Sequence, residues 1–300
     1  RHADLAASVQ QVLEENYFAL LNYLQSQTGQ KRLCLAGGVA LNCAANGKIF
    51  DRTGFEDVWI QPAASDAGTS LGAALYLWHQ ILGKPRSFVM RHAYWGGEYD
   101  EARIRQALEA AGAGYHRLET EELVDRTARE IAEGKIVGWY QGRMEFGPRA
   151  LGGRSILGDA RDPRMQSVMN LKIKFRESFR PFAPSVLEDR AHEWFDMPPG
   201  LESPYMLLVA PVHRNIRLPE SGNGLVGLDK LKAARSKVPA VTHVDLSARV
   251  QTVDRQRHGR YWKLLQRFAQ RTDCPVIINT SFNVRGEPIV CRPEDAYRCF

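Results

Sequence analysis

Long apolar runs are missing from this sequence. None approaches the ~18 residues that a membrane-spanning helix needs. No charged leader with an apolar core and a cleavage site opens the chain; Arg1-His2-Ala3-Asp4 passes straight into a helical pattern. Cysteine is scarce, with Cys34, Cys43, Cys274, Cys291 and Cys299 and no CxxC pair. That count disfavours both a disulfide framework and a cysteine-built zinc site, and it fits reduced thiols in a cytoplasmic protein. Also lacking are a Walker A sequence, a nucleophile elbow and HExxH, so ordinary P-loop and hydrolase readings lose ground. The chain has no initiating Met and is expected to be a fragment whose beginning lies elsewhere.

What is present is ordinary for a soluble globular protein: 44% hydrophobic and 25% charged residues over 300 positions, room for two domains. The net charge of +6 is unevenly spread. Residues 1–83 hold five Lys/Arg against seven Asp/Glu, so the whole excess lies downstream. Such an excess marks an anionic ligand or a solvated face. Phosphorylated small molecules and nucleic acid both qualify, but no RNP-like aromatic pair or Lys-rich run supports nucleic acid.

The periodicities describe mixed α/β structure. A helix is predicted over 4–28, stopped by Gly29, then a short strand Arg32–Ala36, the Gly37-Gly38 turn and a helix over about 41–50. A second strand, Val58–Ile60, leads through Ser65-Asp66 into a small-residue helix ending near Leu82. Residues 84–98 read as a linker between a first domain (1–83) and a second (99–300). In the second domain, helices are predicted at 100–111, 120–133, 163–173, 259–271 and 293–300. Strands are predicted at 136–140, 182–187, 206–212, 241–245 and 276–280, with a surface loop over 213–239.

Five segments carry chemistry. Paired glycines between a strand and a helix, Gly37-Gly38 followed by Asn42, can bring backbone N–H groups to a phosphate; Gly-Gly turns are also common as plain structure. Asp66, before Gly68, is either a helix cap or a loop carboxylate able to bind a divalent cation. Gly142–Ser155 packs Arg143, Arg149 and Arg154 among glycines, a pattern suited to forked phosphate or carboxylate binding, with a surface loop paired to Glu145 and Asp159 as the plain alternative. Asn170–Pro184 carries Lys174, Arg176 and Arg180. Read as extended, it places Lys174 and Arg176 on one face and anchors them through Phe175, Phe179 and Phe182; a basic edge strand is the alternative. Finally, a strand ends in Asn279, Thr280, Ser281 and Asn283 before Gly286, polar groups able to orient a nucleotide or an acyl phosphate, or simply a turn. Between them, His243 reads as a core histidine and Arg249 as a further phosphate contact.

Together these segments resemble the O-carbamoyltransferase family of the nodulation-factor and tobramycin type. The stretches that carry the resemblance are LAGGVALNCAANGKI, PAASDAGTSLGAAL, WYQGRMEFGPRALGGRSIL, KIKFRESFRPFAP, PAVTHVDLSARVQTV and INTSFNVRGEPIV, in family order over essentially the whole chain. The resemblance implies the C-terminal part of an actin-like (ASKHA) domain, followed by a YrdC-like mixed α/β domain similar to threonylcarbamoyl-AMP synthase. It implies ATP-dependent conversion of carbamoyl phosphate to carbamoyl-adenylate, with phosphate and pyrophosphate released, then transfer of the carbamoyl group to a hydroxyl of a small-molecule acceptor such as a sugar or antibiotic. By residue, Arg149, Lys174 and Arg180 match the catalytic cations. Arg154, Arg176, Arg249, Asn279, Ser281 and Asn283 join them in holding carbamoyl phosphate and the adenylate. Gly37, Gly38 and Asn42 match nucleotide contacts of the first domain, and Asp66 matches a ligand of a divalent metal, iron or otherwise magnesium. The family's HxxxH metal pair has no counterpart here, so the metal site is expected to be incomplete and transfer not to be completed, while the adenylate-forming site is whole.

Two other readings compete. One is an RNA-binding YrdC-like module, whose affinity would fall steeply with salt. The other is a close enzymatic relative, a threonylcarbamoyl-AMP synthase or a hydrogenase-maturation carbamoyltransferase. The latter also needs acylphosphatase and zinc-finger segments, whose cysteine pairs are absent from this sequence.

Overall fold

A 27-residue helix, α1 (His2–Thr28), opens the fold where the apolar spacing predicts it. Gly29 ends it at φ 63, the left-handed conformation that glycine adopts without a steric penalty. The computed structural model describes residues 2–198, 200–219 and 233–300; residues 220–232 of the loop expected at 213–239, including Gly222, Gly224 and Gly227, lie outside them.

The chain divides into two units, one reaching to Ser87 and including Leu207–Val209, the other made of the remainder. In the first, β1 (Arg32–Leu35) and β2 (Asp57–Ile60) pair in parallel, with Leu35 opposite Ile60. Phe18 and Leu21 of α1 pack with Leu33, Ile49 and Phe55. The helix expected over 41–50 is broken into α2 (Cys43–Asn46) and α3 (Ile49–Arg52). Asn42 starts α2, its side chain accepting the Ala45 N–H at 3.1 Å, and the break falls at Gly47-Lys48. After β2 comes α4 (Asp66–Tyr76), prolonged by one wider turn over Leu77–Ile81.

The second unit contains α5 (Glu101–Ala110), α6 (Thr120–Ala132), β3 (Val137–Tyr140), β4 (Arg154–Asp159), α7 (Met165–Lys172), β5 (Ala183–Leu187) and α8 (Ala191–Trp194). They are followed by β6 (Leu208–Pro211), β7 (Ser247–Val253), α9 (Arg255–His258), α10 (Arg260–Thr272), β8 (Val276–Ser281) and α11 (Pro293–Cys299). The sheet runs β3-β4-β8-β5-β7-β6. It is mixed: β5 and β7 are parallel, whereas β3–β4, β4–β8 and β8–β5 are antiparallel. The α/β class is therefore as expected.

Packing of α10 follows directly from its sequence. Tyr261, Leu264, Leu265, Phe268 and Ala269 recur at helical spacing and are all buried. Its partner α6 buries Val124, Thr127, Ala128 and Ile131 by the same rule. The rim is held by Arg271 on Asp125 at 2.6 Å and Arg267 on Glu121 at 3.2 Å.

Three expectations change. The strand predicted at 241–245 begins later, at Ser247: Pro239 starts a short 3-10 turn, and Leu246 takes φ 62, which no strand tolerates. His243 is accordingly not a core histidine; it is half-buried and lies 3.2 Å from Asp245. β4, wholly buried, was hidden inside a glycine–arginine stretch. The expected linker is split, because from Phe88 onward it belongs to the second unit. There Gly96 donates to the Met144 carbonyl at 2.8 Å and Phe146 to the Ala93 carbonyl at 2.7 Å. Among the described residues no helix is long and apolar enough to cross a membrane, and all five cysteines are free.

Phe268 is fully buried between α10 and the sheet core. Its replacement by Ala is expected to cost about 3–5 kcal/mol, read as a lower urea midpoint for the second unit; a loss below about 1 kcal/mol would contradict this packing.

Candidate functional site

Lys174 is the best-defined member of the site. It lies just past α7 and is only 5% exposed. Its ammonium donates to the Ser281 carbonyl, to Ser281 Oγ at 3.3 Å, and to the Asn283 carbonyl and Oδ1 at 2.8 Å each. All four partners are neutral oxygens at the end of β8. Ser281 Oγ in turn donates to Asn283 Oδ1 at 2.7 Å, and Asn283 Nδ2 to the Glu287 carbonyl at 2.8 Å. Burial, with the Arg176 guanidinium nearby, brings the Lys174 pKa down to about 8.

The segment beyond Lys174 is not extended, contrary to expectation. Phe175 sits at φ 45, a conformation a bulky side chain rarely adopts and one often found at functional sites. Phe175 and Phe179 are exposed, so only Phe182 anchors the segment. Arg176 stacks over the Phe182 ring at 4.9 Å and donates from Nε to Asn170 Oδ1 at 2.6 Å. Burial, then the charge of Arg180, pushes the Arg176 pKa down. Lys174, Arg176 and Arg180 thus form a row of mutually repelling cations. Arg180, at its outer end, is exposed and paired with Glu177 at 2.9 Å.

Alternate residues and cross-strand partners share a sheet face. Register therefore puts Asn279 and Ser281 of β8 on the same face as Arg249 and Gln251 of β7. Asn279 is fully buried and donates to Gln251 Oε1 at 2.8 Å and to the Ala150 carbonyl at 3.2 Å. Gln251 Nε2 donates to the Leu151 carbonyl at 2.9 Å. The turn carrying Arg149 is thereby tied to this face, two residues along β8 from the Lys174 anchor. Arg149 and Arg249 are half-buried.

Arg154 behaves differently from its expected role. It is completely buried. Its guanidinium donates to the carbonyls of Cys291 (3.4 Å), Gln141 (3.0 Å), Gly153 (2.9 Å), Gly97 (3.3 Å) and Gly142 (3.1 Å). It also lies 3.6 Å from the Tyr140 ring centroid. With every N–H on a backbone carbonyl, none is left for a phosphate; Arg154 organises the turn instead. Gly152 is required in that turn: it has φ 107, and a Cβ there would collide with the Tyr261 ring.

In the first unit, the Gly37-Gly38 turn and the Ser65-Asp66 loop do come together at the ends of the parallel strands. A Cβ on Gly38 would sit 3.6 Å from Ser65 Oγ. Asn42, expected on a nucleotide, is engaged by the protein: it exchanges amide hydrogen bonds with Gln10 at 2.9 and 3.2 Å besides capping α2. Asp66 is exposed in the first turn of α4. No group of three or more His, Cys, Asp or Glu able to hold a metal exists among the described residues. The residues present therefore do not fit the expected divalent metal, since one carboxylate supplies too few ligands.

A cavity of about 480 Å³ in the second unit is lined by His92, Tyr94, Trp95, Arg143, His258 and Arg260, among others. Of the three arginines whose pattern suits anion binding, Arg143 lines it; none of the residues that the resemblance assigns to a ligand does. His92, Tyr94 and Trp95 fall in the stretch that the sequence marks as linker.

The profile described as "Carbamoyltransferase C-terminus" matches residues 128–300, which include every cation of the row and the whole Arg149 turn, and "Carbamoyltransferase N-terminus" matches residues 1–75. The chain belongs to the carbamoyltransferase family. Its relatives include nodulation protein NolNO of Sinorhizobium fredii, 43% identical over all of this chain and 42% of that protein. Nodulation protein NolO of Bradyrhizobium diazoefficiens is 40% identical over all of this chain and 52% of its own length. An uncharacterized Synechocystis protein is 52% identical over all of this chain and 50% of its own. This carbamoyltransferase chain thus spans about half the length of the curated relatives it matches. Among solved structures, full-length HypF in its phosphate- and nucleotide-bound form aligns at 17% identity over 62% of this chain and 20% of its own, with a TM-score of 0.35.

Replacing Arg154 by Met would take a donor from five carbonyls, of which those of Gly97, Gly153 and Cys291 keep another. The expected loss is about 3 kcal/mol or more, read by chemical denaturation; a variant as stable as the parent would refute the organising role.

Proposed function

We propose that the second unit activates carbamoyl phosphate with ATP, forming carbamoyl-adenylate for transfer to a hydroxyl of a small-molecule acceptor. The observation that carries this reading is the cation row Lys174–Arg176–Arg180. Its inner member is held by neutral oxygens, and burial and like charge act against its positive form. Such an arrangement is costly unless an anion neutralises it. Two phosphorylated substrates repel each other, and clustered cations offset that repulsion and stabilise charge on the transferring groups.

In balance, one water displaces phosphate from carbamoyl phosphate, leaving carbamate. A carbamate oxygen then attacks the α-phosphorus of ATP, and pyrophosphate departs. Lys174 has three N–H donors facing four protein oxygens. An entering phosphoryl oxygen takes over one of those donors without leaving an oxygen buried and unpaired, because Ser281 Oγ and Asn283 Oδ1 also bond each other. Arg149, on its tied turn, supplies the forked contact that a lysine cannot make. Acceptor transfer and any metal it uses are assigned to no residue of this chain.

Incubated with ATP and carbamoyl phosphate, the chain is expected to release pyrophosphate, and Lys174→Ala or Arg149→Ala to lower kcat/KM by about 100-fold or more. Activity surviving both changes would overturn the site. Replacing carbamoyl phosphate by threonine plus bicarbonate should give no product; product from that pair would instead favour a threonylcarbamoyl-AMP synthase.

Lys174 also sets a pH limit. Its folded pKa, about 8, lies below the value of a free lysine, so the cation is present below pH 8 and is lost as pH rises through it. The Lys174-dependent rate should fall to about one-tenth by pH 9; a rate flat to pH 10 would show that the charge is not needed. Stability moves the other way: between pH 8 and the ordinary lysine pKa the unfolded chain binds the extra proton, so folding gains as pH rises.

A further inference from the structure

We propose that Glu145 is a positioning residue for Arg149, acting by closing the turn that presents the guanidinium. The proposal rests on the reading of Arg149 as a carbamoyl phosphate contact. Glu145 is 5% exposed, and its Oε1 accepts the backbone N–H groups of Leu151 and Gly153 at 2.7 Å each and of Arg154 at 3.4 Å. One carboxylate oxygen thus draws residues 151–154 back onto residue 145. The span Phe146-Gly147-Pro148-Arg149-Ala150 is left between them as a closed bulge.

Both flanks of that bulge are pinned. On the entering side, the Phe146 N–H is bonded to Ala93. On the leaving side, Asn279 holds the Ala150 carbonyl, while Gln251 and Tyr94 hold the Leu151 carbonyl at 2.9 and 2.8 Å. Within the bulge, Gly147 takes φ 139, open to glycine, and Pro148 fixes its own φ. The approach at the base is close: a Cβ on Gly153 would stand 2.9 Å from the Arg143 carbonyl and 3.1 Å from the Glu145 carboxyl. Glutamate here touches no substrate-facing group. Its second oxygen, Oε2, is buried without a hydrogen bond, a cost tolerated where the first oxygen gathers three donors. Asn279 then acts on Arg149 through the backbone as well, whatever else its amide contacts.

The decisive experiment is a double-mutant cycle read as kcat/KM for carbamoyl phosphate in pyrophosphate release. Glu145→Ala should lower it by about 30-fold or more and Arg149→Ala by about 100-fold or more, and the double variant should be no worse than Arg149→Ala within about threefold. Glu145→Gln keeps a carbonyl acceptor at Oε1 and should recover to within about tenfold of the parent. Losses that multiply in the double variant, or a Gln variant no better than Ala, would overturn the proposal. Amide hydrogen exchange gives a second readout that needs no turnover. In Glu145→Ala the Leu151 and Gly153 amides should exchange about 100-fold faster, while β8 and α10 keep their protection and so report an intact fold. An inactive parent protein sinks the reading of Arg149; unaltered exchange at 151 and 153 in an active one sinks this proposal alone.

Discussion

One glycine-rich turn, residues 141–154, holds two buried charged side chains of opposite sign, and the arrangement around β8 depends on how each is satisfied. Glu145 accepts backbone N–H groups and Arg154 donates to backbone carbonyls. Between them they satisfy polar backbone that has no sheet or helix to join and would otherwise be buried unpaired. The glycines let the chain come close enough for this: Gly152 lies against Tyr261 and Gly153 against Arg143 and Glu145. A charged pair inside the protein normally invites replacement by apolar residues. Here neither member is mainly the partner of the other, and apolar replacements would leave the turn's own groups unsatisfied.

That arrangement explains why the sequence was readable in part. Arginines spaced among glycines signalled an anion-binding loop, and the segment does carry Arg149. Composition alone does not say which arginine is buried. Arg149 and Arg154 are the same residue type in similar surroundings, and they part only because Arg154 begins β4 and meets Tyr140, Cys291 and Gly97, contributed by three distant stretches. β4 itself escaped notice because Arg154-Ser155-Ile156-Leu157-Gly158-Asp159 has only two strongly apolar residues. Its strand character comes from neighbours on both sides, a tertiary effect that outweighs intrinsic preference.

The cation row was likewise found by residue type and misjudged in shape. Lys174-Phe175-Arg176 looks extended, and alternation would then have set Lys174 beside Arg176 on one face. The chain instead turns through a left-handed Phe175, and the two cations are neighbours by virtue of that turn. Nothing local favours φ 45 at a phenylalanine; the surrounding hydrogen bonds, Lys174 N–H to the Met169 carbonyl and Arg176 N–H to the Asn170 carbonyl, hold it there. The aromatic ring is left exposed, which a stability argument alone would not select. The helices α6 and α10 and the strand β8 were legible because their apolar periods are strong, whereas β7 was misplaced by six residues because Pro239 and Leu246 break an apolar run that merely looked like a strand.

The same contrast separates the two kinds of residue near β8. Gln251 and Arg154 are fully buried, and their hydrogen bonds go to the protein itself; Asn279 is as buried, but its Oδ1 has no partner. Lys174 is nearly as buried, but its partners are neutral and a like charge stands beside it, so its proton is held less tightly than in water. A group whose own fold opposes its charged form gains most when an anion arrives, because binding removes the repulsion along Arg176 and Arg180 at the same time as it adds a contact. Residues already satisfied gain nothing from a ligand and serve to hold the frame. By that criterion the proposed ligand-facing set narrows to the residues whose charge the folded protein leaves uncompensated, and Lys174, at the junction of α7 with the end of β8, is its proposed centre.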